Sequence, residues 1–314
     1  MSPTTLGPLV RLWGLRTEQL PPASASAEEL SPLLAAILRE AVPFIDSAAP
    51  KDGKADPAVW RAKGAHAHAD AEAKVGVLER VVPAAELERV AARDGRGGDK
   101  VRPETWCCRV SRHADAPRKG TASWAEFERC FRLEHAASEK AFTPACLAAR
   151  QATAWDCAGV EAVGAGGVVW TGFRLAALEM RHRVGRPLLR DRTFPVLQMT
   201  ASAAGGGDEF VVVSIPVPDF GARAKESTLA SERGAQVAFY VSVERIRRGA
   251  DGTVEWLMAT ASDAGGALPA WVQNLAAPGV IWKDVPLFLG WIARERGKRA
   301  AESNDAEGVS SAKA

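Results

Sequence analysis

The sequence predicts an α+β fold in which an antiparallel sheet packs on a C-terminal helix. Three observations carry this. Residues 26–47 place Leu30, Leu33, Leu34, Ile37, Leu38 and Val42 at helical spacing. From about residue 165, glycines punctuate runs of β-branched and aromatic residues, and "ADGT" at 250–253 supplies an Asp-Gly hairpin turn. Val285, Phe288, Leu289 and Ile292 then return to helical spacing. Strands joined by hairpins form an antiparallel sheet, whose buried face needs an apolar cover. The last helix supplies that cover.

The elements follow in order. Ser24 or Ser26 caps the first helix, with Glu28 or Glu29 in its first turn. Residues 48–72 are polar and rich in Ala, Lys and Asp, and read as a flexible loop around one anchor, Val59–Trp60. Within it, "HAH" at 66–68 could chelate a metal on a strand, but no acid or cysteine completes a ligand set. Residues 92–105 read as an exposed connection closed by Pro103. "TWCCRVSRHAD", 105–115, alternates like a strand. Ser123 followed by Glu126 is a capping box for the next helix. Pro144 breaks that helix, and "PACLAARQATAWD" reads as a second one. "GGVVWTGFRLAALEMRHRV" is ambiguous between helix and strand. "DRTFPVLQMTASA" and "DEFVVVSIPVP" read as strands around an "AGGG" turn, and a hairpin follows around 249–252. In "SDAGGALPAWVQN", 262–274, Gly265–Gly266 turn the chain off the last strand. Pro269 suits a first helical turn, and Trp271 packs across the sheet. Arg and Lys near residue 298 end the last helix, suiting its dipole.

Composition narrows the function classes. The chain has 314 residues, 47% hydrophobic and 25% charged, with a formal net charge of +2. These are values of a globular protein with a sizeable core. The charge balance gives no broad footprint for nucleic acid. No apolar run reaches the roughly 20 residues of a membrane span. The first residues show no basic segment followed by an apolar one, so a cytoplasmic location is expected. Five cysteines at irregular spacing, with no C-x-x-C pair, read as small buried hydrophobes. No nucleotide-binding or nucleophile-elbow motif is present, and no cofactor or metal is expected.

The stretch "SDAGGALPAWVQNLAAPGVIWKDVPLFLGWI" is similar to the end of START-type lipid-transfer domains, and "LLRDRTFPVLQ" resembles their Arg-Asp strand. The segment "TWCCRVSRHAD…GTASWAEFERCFRLEHAASEKAFTPACL" is closer still to a START-like domain of unknown function found mainly in fungi. The resemblance rests on Trp106, Arg109, Ser111 and His113, then Thr121 to Trp124, Glu126, Phe127, His135, Glu139, Thr143 and Pro144. "MRHRVGRPLLRDRTFPVL" fits a further segment, and the matches span roughly residues 105–296. The resemblance implies a helix-grip fold: a curved antiparallel sheet clasping a long C-terminal helix, with an apolar cavity between them. It divides the chain into a helical lead-in with flexible loops (1–104, part of the same domain), a START-like core (105–297) and a disordered tail (298–314).

Such a cavity implies a binding site for a lipid or other hydrophobic small molecule, with transient membrane contact and no nucleic acid. The expected lining is Trp106, Arg109, His113, His182, Arg192, Tyr240, Trp256, Met258, Trp271 and Phe288. Alternation puts Ala238, Tyr240 and Ser242 on one strand face, and Trp256, Met258 and Thr260 on one face of the next. His135 and Glu139 share a helix face, as a hydrogen-bonded pair rather than a catalytic one. Glu179 and His182 point to opposite sides of a strand. Arg190, Asp191 and Arg192 form an ion cluster that pins theirs. No catalytic residue is expected. Two alternatives stand beside binding: a cyclase- or isomerase-type enzyme on a polyketide-like substrate, favoured by a polar cluster deep in the pocket, and an adaptor whose cavity is filled by large side chains.

Overall fold

The computed structural model describes residues 6–50, 54–96, 101–183, 190–205, 207–263 and 279–311. Its centre is one curved antiparallel sheet of β1 (Arg61–His68), β2 (Ala71–Val82), β3 (Glu104–Ala114), β4 (Cys146–Trp155), β5 (Ala162–Val163), β6 (Val169–His182), β7 (Arg192–Ala203), β8 (Glu209–Pro216), β9 (Phe239–Arg248) and β10 (Thr253–Asp263). The spatial order is β1-β2-β3-β10-β9-β8-β7-β6-β4, with the short β5 pairing with β6. The helices are α1 (Ala27–Asp46), α2 (Ala84–Arg93), α3 (Trp124–Phe127), α4 (His135–Phe142), α5 (Phe220–Arg223) and α6 (Asp284–Ser311), and a π turn (Glu128–Leu133) joins α3 to α4.

The sheet is buried on both faces. On one side, Leu34, Ile37, Ala41 and Ile45 of α1 share a core with Val211, Val213, Val243 and Leu257. Of the two caps the sequence offers, Ser26 is the one used, and it closes a reciprocal box with Glu29. On the other side, Val285, Phe288, Leu289 and Ile292 of α6 pack with Phe127 and Phe131 against Phe210, Val212, Ile246 and Trp256. Double-sided burial explains why β8, "EFVVVSIP", shows no clean polar alternation. All five cysteines are buried thiols.

Several expectations are corrected. The stretch 48–72 is not a loop: residues 61–82 form the β1–β2 hairpin. Its Ala, Lys and His content hides the strands because most of β1 is exposed. His66 of "HAH" stacks on Trp282 with ring centroids 4.7 Å apart, which ties the hairpin to the approach to α6. The segment read as a second helix after Pro144 is β4. Alanine favours helix locally, but the ladder to β6 overrides it. The ambiguous 169–182 stretch is β6. The last helix does not end near residue 298 but runs on to Ser311, where a disordered tail was expected; Ala and Glu there are helix formers. The lead-in therefore contributes strands as well as helices. Gly265, Gly266 and Pro269 lie outside the described residues.

Two contacts fix the frame around these layers. Arg296 of α6 reaches the start of α3. It bonds both carboxylate oxygens of Glu126 (2.6 and 2.7 Å) and the carbonyls of Arg118 and Thr121. Glu126 also closes the predicted capping box with Ser123. At the other side, the N-terminal segment turns at Gly14, where φ is +65° and a Cβ would meet the Pro216 carbonyl oxygen at 2.0 Å. The adjacent Leu15 N–H donates to that same oxygen at 2.9 Å. Gly14→Ala is therefore expected to destabilise by about 2 kcal/mol or more, through both the backbone conformation and the clash. Urea unfolding checks this; an unchanged midpoint would show that the turn relaxes freely.

Candidate functional site

A cavity of about 360 Å³ lies between the sheet and the α4–α6 layer. This is the small end of the roughly 300–1,000 Å³ range of ligand sites. Strand alternation builds one wall. On β9 the side chains facing it are Tyr240, Ser242 and Glu244, and on β10 they are Met258, Thr260 and Ser262. These are the faces that the sequence pairs. Phe131, Phe142 and Phe194 add aromatic surface, α4 contributes His135 and Glu139, and α6 contributes Asp284 at its first residue.

The polar floor is centred on Arg109. Its side chain is only 3% exposed, and its guanidinium lies 4.0 Å from the Trp256 ring centroid. Nη2 donates to Glu244 Oε1 at 3.1 Å, and Nε stands 3.9 Å from Asp284. Nε and Nη1 are buried without a hydrogen-bond partner. Glu244 also accepts from the Trp256 indole N–H. Burial alone would raise its pKa. The His135 hydrogen bond and the Arg109 charge outweigh that, and hold Glu244 below the ordinary carboxylate value. His135 stands 3.5 Å from Glu244 and 3.8 Å from Glu139. Burial opposes its charged form, but these carboxylates prevail and raise its pKa.

The two remaining acids differ from Glu244. Burial pushes Glu139 up to about 7, with His135 opposing and the charges of Asp284 and Glu244 adding to the rise. Asp284, whose side chain is 36% exposed, is pushed up to about 6 by the part of it that is buried, against the pull of Arg109. His182, 3.8 Å from Glu139, is held down at about 4 by burial. Burial raises the Tyr240 phenol, and its ring packs edge-on to Phe194.

The residues expected at the site separate into groups. Arg109, His182, Tyr240 and Met258 line the cavity. Trp256 and Phe288 lie under it in the aromatic core, each 0% exposed. His113 is also behind the wall. It is 2% exposed, with Nε2 2.8 Å from Ser111 Oγ and its ring against Phe127 and Trp256. Trp106 faces away altogether: it lies on the α1 side of β3, with Phe44 4.5 Å from it. The period-two rule puts it opposite Arg109. Arg192 is buried at the start of β7, bonds the Arg190 carbonyl at 2.7 Å, and does not line the cavity. Trp271 lies outside the described residues. Glu179 and His182 do point to opposite faces. Glu179 is enclosed by Ser227 and the backbone N–H groups of Thr228, Leu229 and Ala230. The sequence reading missed Glu244 and Asp284. Glu244 looks like the polar face of a strand, and Asp284 like an ordinary first-turn acid.

His113 gives a pH prediction. Burial, helped by the Arg109 charge, lowers its pKa from 6.5 to about 4. The unfolded chain then takes up this proton below pH 6.5 while the folded one resists until about 4, so stability is lost as pH falls through that window. In His113→Gln, the stability lost between pH 7 and pH 4 is expected to shrink by about 3 kcal/mol against the parent protein. Denaturant unfolding at both pH values checks it; equal losses would sink it.

A curved antiparallel sheet gripping a C-terminal helix over such a cavity is a START-like fold. The family model described as "Protein of unknown function (DUF3074)" matches residues 106–292, and the chain belongs to that family. Among solved structures, it is similar to human STARD10, with a TM-score of 0.50 and 11% identity over 85% of this chain and 83% of that one. It is also similar to human StAR-related lipid transfer protein 5 (0.47, 11%, over 85% and 95%) and to the human StarD13 lipid transfer and protein localization domain (0.43, 13%, over 74% and 88%). No curated protein matches the sequence. No helix among the described residues is long and apolar enough to cross a membrane.

Proposed function

We propose that this chain binds a lipid or another hydrophobic small molecule in the cavity under α6, and can pass it on through transient membrane contact. The observation that carries this is the open, aromatic-lined space of about 360 Å³ between β9–β10 and the α4–α6 layer. That space also speaks against an adaptor filled by its own side chains. The START-like fold supports the same reading. Removing apolar ligand surface from water, worth roughly 25 cal/mol per Å², drives binding, and the polar floor orients the ligand. The test is native mass spectrometry of the purified protein, followed by extraction and identification of any bound molecule. One equivalent of a hydrophobic compound is the expected result. An empty protein that also fails to bind a panel of lipids and polyketides would remove the basis of the proposal.

One observation favours a second reading, an enzyme of the cyclase or isomerase type. His135 lies within 4 Å of both Glu139 and Glu244. A carboxyl near neutrality beside an imidazole, in a partly dry cavity, can hold or move a proton. Under this reading Glu139→Gln retains ligand but loses turnover.

A further inference from the structure

Leaving aside the exposed Arg183 at its rim, the cavity's charges do not balance. Glu139, Glu244 and Asp284 face it with three carboxylates. Arg109 is committed to Glu244, and His135 stands between Glu244 and Glu139. Even with both of those cations charged, one carboxylate is in excess. His182 is neutral near pH 7, and Arg183 stands exposed at the rim. Tyr240 of β9 and the buried Cys146 of β4 add no positive charge. Among the described residues, neither the Glu139 nor the Asp284 carboxylate accepts a hydrogen bond; their nearest cationic groups stand at 3.8 and 3.9 Å. The same floor holds an unmet need of the opposite kind. The Nε and Nη1 groups of Arg109, 97% buried, have donors and no acceptor.

These needs select among head groups. A phosphate or carboxylate would satisfy Arg109 but meet three like charges. A plain apolar end would take water from two carboxylates and return no donor. An ammonium supplies N–H donors and the missing charge, and an oxygen beside it can accept from Arg109. We propose that the ligand is a compact hydrophobic amino alcohol, its ammonium held by Glu139 and Asp284 and its neighbouring hydroxyl oxygen by Arg109. This rests on the cavity being the ligand site. The small volume agrees with a single-chain ligand.

The test is calorimetric titration of the whole protein with decylamine, 1-aminodecan-2-ol, decanol and decanoate, all below their micellar concentrations, at pH 7.5 and 5.5. At pH 7.5 the amine is expected to bind at least about tenfold more tightly than decanol or decanoate, with the amino alcohol tightest. At pH 5.5 Glu139 and Asp284 take up protons, so amine affinity falls about tenfold or more while decanol holds or improves. Glu139→Gln and Asp284→Asn should lose the preference for amine over decanol, with thermal melts confirming that each is folded. The wild-type pH comparison needs no variant. Decanol or decanoate matching the amine, or amine binding that strengthens on acidification, overturns this proposal and leaves the cavity as a ligand site. If no probe binds, the ligand-site reading fails and this proposal with it.

Discussion

Phe288→Ala is expected to cost about 3–5 kcal/mol, the range for deleting a large aromatic from a close-packed core. Phe288 is 0% exposed, and its ring meets aromatics from four other elements. Its centroid lies 5.4 Å from Phe127, 4.8 Å from Phe131, 5.7 Å from Phe142 and 5.5 Å from Trp256. Several of these pairs are edge-on, a geometry that adds to simple burial. The neighbours come from α3, the π turn, α4 and β10, so no single one can move in to fill the void. Because Phe131 and Phe142 also line the cavity, the same variant should loosen the wall and weaken binding of any hydrophobic probe. A fall in the urea midpoint with an unchanged slope is the expected signature. A loss below about 1 kcal/mol would show that the ring cluster repacks, against the close-packed picture.

Glu244→Leu is expected to be nearly as damaging, about 3–5 kcal/mol, for an electrostatic reason. It leaves Arg109, 3% exposed, as a buried cation whose remaining partner, Asp284, stands 3.9 Å away. It also removes the acceptor of the Trp256 indole N–H. The informative comparison is the double variant Arg109→Met with Glu244→Leu, which removes the stranded charge and should recover most of the loss. A double variant as unstable as the single one would mean that shape, not charge, dominates the floor. The sign with pH follows from the depressed Glu244 value. Its contribution is present above the ordinary value of 4.5 and is lost as pH falls below it. Acid should therefore narrow the gap between parent and variant.

The parts of the fold that were legible in the sequence are those where local chemistry and tertiary role agree. The serine cap of α1, the Ser123–Glu126 box, the β9–β10 hairpin around Asp251–Gly252 and the apolar stripe of Val285, Phe288, Leu289 and Ile292 all satisfy their own segments first. The β1–β2 hairpin and β4 were misread because their alanines and charged residues carry no β-preference of their own. Pairing with β3 and β6 makes them strands. At the site, alternation correctly grouped Tyr240 with Ser242 and Met258 with Thr260. Alternation also sets Trp106 opposite Arg109, so both could not line the cavity; Trp106 is buried instead by α1, which covers the sheet from behind. Glu244 and Asp284 escaped notice for another reason. Sequence shows where an acid sits along an element, but not that three elements bring their acids to one enclosed volume.

The clamp between Arg296 and Glu126 constrains how this molecule can breathe. Arg296 lies twelve residues beyond Asp284, about 18 Å along the rod at 1.5 Å per residue. A rod bolted partway along, with Val285, Phe288, Leu289 and Ile292 sunk in the core on the cavity side of the bolt, is held at several points and cannot lift off bodily. The Asp284 end therefore stays in register with the other acids of the cavity, with the turn at 118–121 and the start of α3 as its outer anchor.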